Sequence, residues 1–183
     1  MMPPGHIATT WAVALALQKK NPKLARLDYR GLAVASMLPD LIDKPLAVSV
    51  FTEAETSQLV AHSVLVHAVV LVGALLFRRK SLPYVLAFNG HLLLDRMWRH
   101  TESFWWPLFG WNVFWRFKAM NTPESMVSVY LDIITRYPRV WIVEIIAIAT
   151  IMWVTIRHRL YRRNVFRTFL SSGSLHSAAD QDL

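Results

Sequence analysis

Cysteine is absent from this 183-residue chain. Its absence excludes disulfides and thiolate metal sites, so any metal held here has nitrogen and oxygen ligands. Charge is scarce too: 17% of residues are charged, against roughly a quarter in an average soluble domain. Acidic residues are the scarcer kind, 12 against 20 Lys and Arg, for a formal net charge of +8. Such an excess fits nucleic acid or anionic lipid, and the positions of the charges decide between them. Apolar residues make up 54% of the chain, with eight Trp among them, although a mean hydropathy of +0.31 is modest for a polytopic protein. No basic segment with a cleavage motif precedes the first apolar run, so no signal peptide is expected. There is no internal repeat, and the length suits one domain.

The apolar residues fall in runs with basic punctuation. His6–Gln18, Gly31–Phe51, Leu59–Phe77, Leu82–Met97 and Val140–Ile156 are the five runs. Three basic clusters, within 19–30, 78–80 and 157–167, hold 13 of the 20 Lys and Arg residues and lie at alternate ends of those runs. The positive-inside rule puts all three in the cytoplasm. Five crossings then follow, with Glu53, Glu55 and the 98–138 segment outside and the C-terminus inside. The expectation is an all-α, polytopic membrane bundle of about five helices, one membrane-embedded domain over residues 1–170, and a disordered tail over 171–183. On this reading the basic clusters set topology, and no nucleic-acid partner is expected.

Polar residues interrupt the runs at few places. His91 and Asp95 are four apart in Gly90-His91-Leu92-Leu93-Leu94-Asp95 and share a helix face amid apolar neighbours. Uncompensated charge is strongly disfavoured there, so the pair reads as metal ligands. Asp40 and Asp43 share a face, bracketed by Pro39 and Pro45, where a kink would free backbone groups beside a cavity. His62 and His67 are about 140° apart on a regular helix, so they serve two ions or His62 sits in the preceding turn. Measured from the nearest cytoplasmic charge at about 1.5 Å per residue, His6, Asp40, Asp43, His62, His67, His91 and Asp95 all lie about 15–24 Å up. Seven groups in one slab point to one buried site.

A mixed His/Asp set suits Zn²⁺, Mn²⁺ or Fe²⁺ rather than Ca²⁺ or Mg²⁺. Seven ligands exceed one tetrahedral ion, so one or two ions are expected, with a carboxylate bridging a pair. Phosphoester hydrolysis is the natural use of such a centre, with Asp40, Asp43, His91 and Asp95 as candidate catalytic groups. Arg96 and Arg99 adjoin the site and are candidate phosphate-binding residues. The stretch with Trp98, Phe104, Trp105, Trp106, Trp111, Phe114 and Trp115, plus Arg116 and Lys118, reads as an interfacial aromatic belt or an in-plane helix. Glu144, alone in the last run, is expected to reach the interface or pair with an arginine. A proton or ion pathway and a non-catalytic membrane interaction protein are the alternative readings.

His6, Leu38-Pro39-Asp40-Leu41-Ile42-Asp43, His62 with His67, Gly90-His91 through Asp95, and Trp106-Pro107 together resemble the bacterial membrane-bound metal-dependent hydrolases, including the YdjM-type, LexA-regulated branch. The resemblance covers about residues 1–110. It implies an inner-membrane location and hydrolytic activity, with poorly defined substrates; a lipid or lipid-linked phosphoester entering from the outer leaflet is the expectation for a site at this depth. The His-x-x-x-Asp logic is also distantly similar to zinc-dependent phospholipase C. Two departures stand out. The family commonly has His-Arg-Gly-x-Thr-His-Ser where this chain has His62-Ser63-Val64-Leu65-Val66-His67-Ala68, and its glycine after the final Asp is missing from the Arg96–Trp106 stretch.

Overall fold

The computed structural model describes all residues except 22–23, 25, 53, 55, 116–122 and 176–183. Those described are helical or irregular, with no strand among them. Helices α1 (Pro3–Lys20), α2 (Tyr29–Ser49), α3 (Val64–Phe77), α4 (Leu82–Leu94), α5 (Thr101–Phe104), α6 (Pro123–Arg136), α7 (Pro138–Arg157) and α8 (Arg163–Ser172) follow in order. The calls for structure at Glu53, Glu55, Arg116 and Lys118 lie outside the described residues. Of the tail expected from Ser171, Ser171 and Ser172 close α8 and Leu175 is buried; residues 176–183 are likewise undescribed.

Sequence punctuation sets the helix ends. Asp28 caps α2, accepting from the Arg30 and Gly31 amides at 2.9 and 3.2 Å, and Ser63 caps α3, as short polar side chains do. Proline opens α1, α4 and α7, where its missing N–H is no loss. In the packing, α2 lies between α1 and α4, α7 covers α1, and α3 covers α4. The central helices α1, α2 and α4 carry His6, Asp40, Asp43 and His91, and Asp95 directly follows α4.

The distribution of polarity is inverted relative to a soluble bundle. His6, Asp43, His62 and His91 are fully buried, while Leu76 and Phe77 are 69% and 81% exposed. Val34, Leu41, Val69, Leu86, Leu93, Ile145, Ile146 and Ile156 are exposed as well. An apolar exterior of this extent is what a hydrocarbon surrounding requires.

Only α7, with 20 residues, is both long and apolar enough to cross a membrane by itself among the described helices. Of the five runs, one therefore gives a helix that meets the length and apolarity of a crossing by itself. The third run spends Leu59–Ser63 on a 3-10 turn and a cap, leaving α3 with 14 residues, about 21 Å long. α4 has 13 residues, about 20 Å, against a hydrocarbon core of about 30 Å. α2 has 21 residues but carries Arg30, Asp40, Asp43 and Lys44.

Candidate metal centre

The site begins with Asp43, on the buried face of α2. Its carboxylate receives the backbone N–H groups of Leu59 at 2.7 Å, Ala61 at 3.0 Å and His62 at 3.1 Å. These bonds wrap the segment after α2 into the 3-10 turn Val60–His62. The same carboxylate lies 2.7 Å from His62 Nδ1, which fixes the ring with its proton on Nδ1 and its lone pair on Nε2. His62 thus sits in the turn before α3, which resolves its awkward spacing from His67.

His91, on α4, is fixed in the same sense by a different partner. Its Nδ1 lies 2.7 Å from the carbonyl oxygen of Ser36 on α2. A carbonyl oxygen has two lone pairs, so the Ser36 carbonyl can accept the imidazole N–H beside a helical ladder bond. With Nδ1–H donating to the carbonyl, His91 Nε2 also presents a lone pair.

The two lone pairs face each other: His62 Nε2 and His91 Nε2 are 3.1 Å apart. Around them, Asp40 Oδ1 lies 3.6 Å from His62 Nε2 and 3.9 Å from His91 Nε2, and Asp95 Oδ2 lies 3.3 Å from His91 Nε2. One donor atom from each of Asp40, His62, His91 and Asp95 lies within 4.8 Å of all the others. Bonds of about 2.0–2.1 Å to a tetrahedral ion place donors about 3.3–3.4 Å apart, inside the observed range. A single proton between the two nitrogens would satisfy that pair alone, leaving Asp40 and Asp95 to their partners Lys44 and the Met1 amine. A divalent cation satisfies all four donors, so the residues fit a transition metal.

Both carboxylates have further partners, on the outer oxygen of Asp40 and on both oxygens of Asp95. Asp40 Oδ2 accepts from Lys44 Nζ at 2.7 Å, and Asp95 Oδ2 from Gln58 Nε2 at 3.4 Å. Asp95 Oδ1 meets His6 Nε2 at 3.0 Å and the Met1 amine at 2.6 Å. His6 stacks on His91 with centroids 4.1 Å apart and planes at 13°. Its Nε2 is 3.2 Å from the Met1 carbonyl, and its Nδ1 is the one buried side-chain nitrogen or oxygen without a partner among the described residues. The edge formed by Asp40 and Asp95 keeps 6% side-chain exposure, against none for the two histidines.

Three of the seven expected ligands lie outside the four-donor set: His6, whose Nε2 meets the far oxygen of Asp95, and Asp43 and His67. Asp43, read from the sequence as a ligand and a candidate base, spends both carboxylate oxygens on the turn and on His62. It positions His62. His67 has Nε2 3.0 Å from the Ala61 carbonyl and Nδ1 2.7 Å from Asn89 Oδ1, with its ring stacked 4.0 Å from Phe88. It braces the turn that carries His62. Arg96 and Arg99 follow Asp95 with exposed side chains. Arg96 takes a left-handed backbone, φ 54°, at a strain of about 1–2 kcal/mol. Glycine would sit there unstrained, in the stretch where the resembled family has one.

Other participants were not singled out in the sequence. Lys44 was readable as the i+4 partner of Asp40; Gln58, Asn89 and Ser36 had no local signal. Glu144 is buried and pairs with no arginine among the described residues. From α7 it accepts the Met2 and Gly5 amides at 2.9 and 3.1 Å, capping α1, which has no side-chain cap of its own. A β-carbon on Gly5 would lie 3.0 Å from Glu144 Oε1, so glycine permits the approach. This cross-helix cap fixes the first turn of α1, where His6 sits.

Comparison with curated proteins and with solved structures gives no match, so the similarity to zinc-dependent phospholipase C finds no support there. A family model does match, over residues 1–166, a span that takes in α1, α2, α4, the His62 turn and the cap from Glu144. The chain belongs to the YdjM inner membrane protein family.

Proposed function

We propose that this protein is a membrane-bound metal-dependent hydrolase of phosphoesters, with Asp40, His62, His91 and Asp95 holding a transition metal, zinc foremost. The observation that carries the reading is the pair of Nε2 lone pairs 3.1 Å apart, each fixed in its tautomer from behind and flanked by two carboxylates. Such a preset donor set has few uses other than binding a cation. When bound, the metal lowers the pKa of water toward about 7 and polarises a phosphoryl oxygen.

The remaining roles belong to the chain. The Asp40–Asp95 edge is where substrate meets the site, and one of these carboxylates accepts the proton of the attacking water. Lys44 and Gln58 hold the carboxylates, and Arg96 and Arg99 are the cations nearest in sequence for the substrate phosphate. Leu41 and Ile42 beside Asp40, and Leu93 beside Asp95, are exposed, so lipid surrounds the site at its own level. A lipid or lipid-linked phosphoester reaching the site laterally from the outer leaflet is the substrate class that fits. Cytoplasmic placement of the three basic clusters, with a cytoplasmic C-terminus, follows from the positive-inside rule.

The test is elemental analysis of purified protein, followed by a phosphoester panel on wild type and His91→Ala. We expect at least one transition-metal ion per chain, and phosphate release that the substitution abolishes while the thermal transition persists. Metal-free wild type that cannot be reloaded sinks the reading. Ion flux in proteoliposomes with no hydrolysis would transfer the site to a transport role.

A further inference from the structure

The amphipathic helix α8 plays no part in the metal centre, and its apolar arc is wider than the protein surface it covers. At 100° per residue, taking Val165 as zero, Phe169, Phe166 and Leu170 fall at about 40°, 100° and 140°. The first half of that arc packs inward. Phe169 is buried, edge-on to Trp11 with centroids 6.3 Å apart, and Val165 packs on the same cluster. The second half is left open, with Phe166 46% and Leu170 52% exposed.

The flank of that open edge is cationic. Arg163 and Arg167 fall at about 160° and 200°, directly beyond Leu170. Both are exposed, as are Arg157, Arg159 and Arg162. No Asp or Glu occurs from Ile145 to Ala179, and none of these five arginines forms an ion pair among the described residues.

The position of α8 is also fixed. It starts six residues after the membrane-crossing helix α7 ends at Arg157, through a tight turn with Leu160 N–H bonded to the Thr155 carbonyl at 2.9 Å and the Leu160 side chain buried. Its far end is latched to the start of α2. The Gly173 carbonyl accepts from Tyr29 N–H at 2.8 Å, and Arg30 donates to the Leu170 carbonyl. A β-carbon on Gly173, at φ +71°, would lie 1.8 Å from Asp28 Oδ1. α8 is thereby held beside the end of a membrane span.

We propose that α8 lies in the plane of the membrane surface, with Phe166 and Leu170 in the acyl boundary and Arg163 and Arg167 binding anionic phospholipid headgroups. A docked helix with a leftover apolar edge bordered by long cationic side chains matches the depth profile of an interface, where aromatic and aliphatic groups sink and guanidinium groups stay with phosphate. The occupant is lipid rather than an acidic protein because the edge adjoins a membrane span and carries bulky apolar groups beside the charge.

The chain has no cysteine, so Leu170→Cys and Ser171→Cys each accept a single nitroxide label in the full-length protein in nanodiscs. We expect the label at 170 to be reached by oxygen at a shallow acyl depth and the label at 171 by a water-soluble relaxant. Retention of phosphatidylglycerol by native mass spectrometry should weaken about thirtyfold in the Arg163→Gln/Arg167→Gln double variant, at about fivefold per arginine. Three results overturn the proposal: equal water access at both labels, a label at 170 reached by neither relaxant (a second chain covering it), or unchanged phosphatidylglycerol retention. Metal content measured on the same samples reports separately on the hydrolase reading.

Discussion

Replacing Asp43 by asparagine tests whether this carboxylate positions a ligand or is one. Oδ2 receives Leu59 N, His62 N and His62 Nδ1, and Oδ1 receives Ala61 N. The amide does least harm with its oxygen on the three-bond side and its amino group facing the Ala61 N–H. One bond is then lost and two donors confront each other, at about 1–3 kcal/mol. The three surviving bonds fall from charge-assisted to neutral, about 1 kcal/mol each. Relief from burying a charge opposes these losses, leaving a net destabilisation of about 2–4 kcal/mol. His62 keeps its Nδ1 acceptor, so its Nε2 lone pair survives on a looser and less basic ring. Metal affinity should fall about 10- to 100-fold, whereas Asp40→Asn, which alters a donor itself, should cost more. The assay is chelator competition on detergent-solubilised protein, with thermal midpoints recorded with and without added metal. Affinity in Asp43→Asn equal to wild type refutes the positioning role, and a loss larger than in Asp40→Asn makes Asp43 a ligand.

Three further outcomes are expected. His67→Phe keeps the stack on Phe88 but loses the contacts to Ala61 and Asn89; it should destabilise by about 1–3 kcal/mol while saturating metal still loads fully, and a missing ion by elemental analysis would return His67 to the ligand set. Glu144→Gln leaves one acceptor oxygen for two amides and removes a negative charge from the start of α1, lowering stability by about 1–2 kcal/mol, read as a thermal shift; no shift would mean that α1 does not depend on its cap. The Asp28 carboxyl is held below the usual carboxylate range, first by its bond to the Arg30 side chain and also by the Gly31 and Arg30 amides. Its folded-state value is the lower one, so its contribution is present above the ordinary carboxylate range and disappears as pH falls through the depressed value. Acidification should loosen the α8–α2 latch, seen as faster amide exchange at Tyr29 and Gly173, and Asp28→Asn should remove that pH dependence.

Much of the site was legible because incompatibility with an apolar setting is a local property. His91 and Asp95 stand out four apart on one helix face, and Asp40 is their counterpart in α2. The depth argument put the seven groups at one level because each sits a similar number of residues from a basic cluster, and the contacts of the fold gather them around His62 and His91. It could not separate ligands from their supports, since a carboxylate that orients a histidine and one that binds an ion occupy the same slab. The length of the helix in the third run was overread for a related reason. Hydropathy of Leu59–Phe77 is continuous, but Asp43 draws its first residues into a turn, a contact across 16–19 positions.

The sequence by itself determined the helical class, the absence of thiolate chemistry, and a buried His/Asp set, because composition, periodicity and the cost of burying charge act at short range. Only the tertiary structure decided that His62 Nε2 meets His91 Nε2, that Asp43 and His67 serve as supports, and that Glu144 caps α1 from α7. Those outcomes depend on which groups from distant helices come within hydrogen-bond range, and spacing along a single helix carries no record of that.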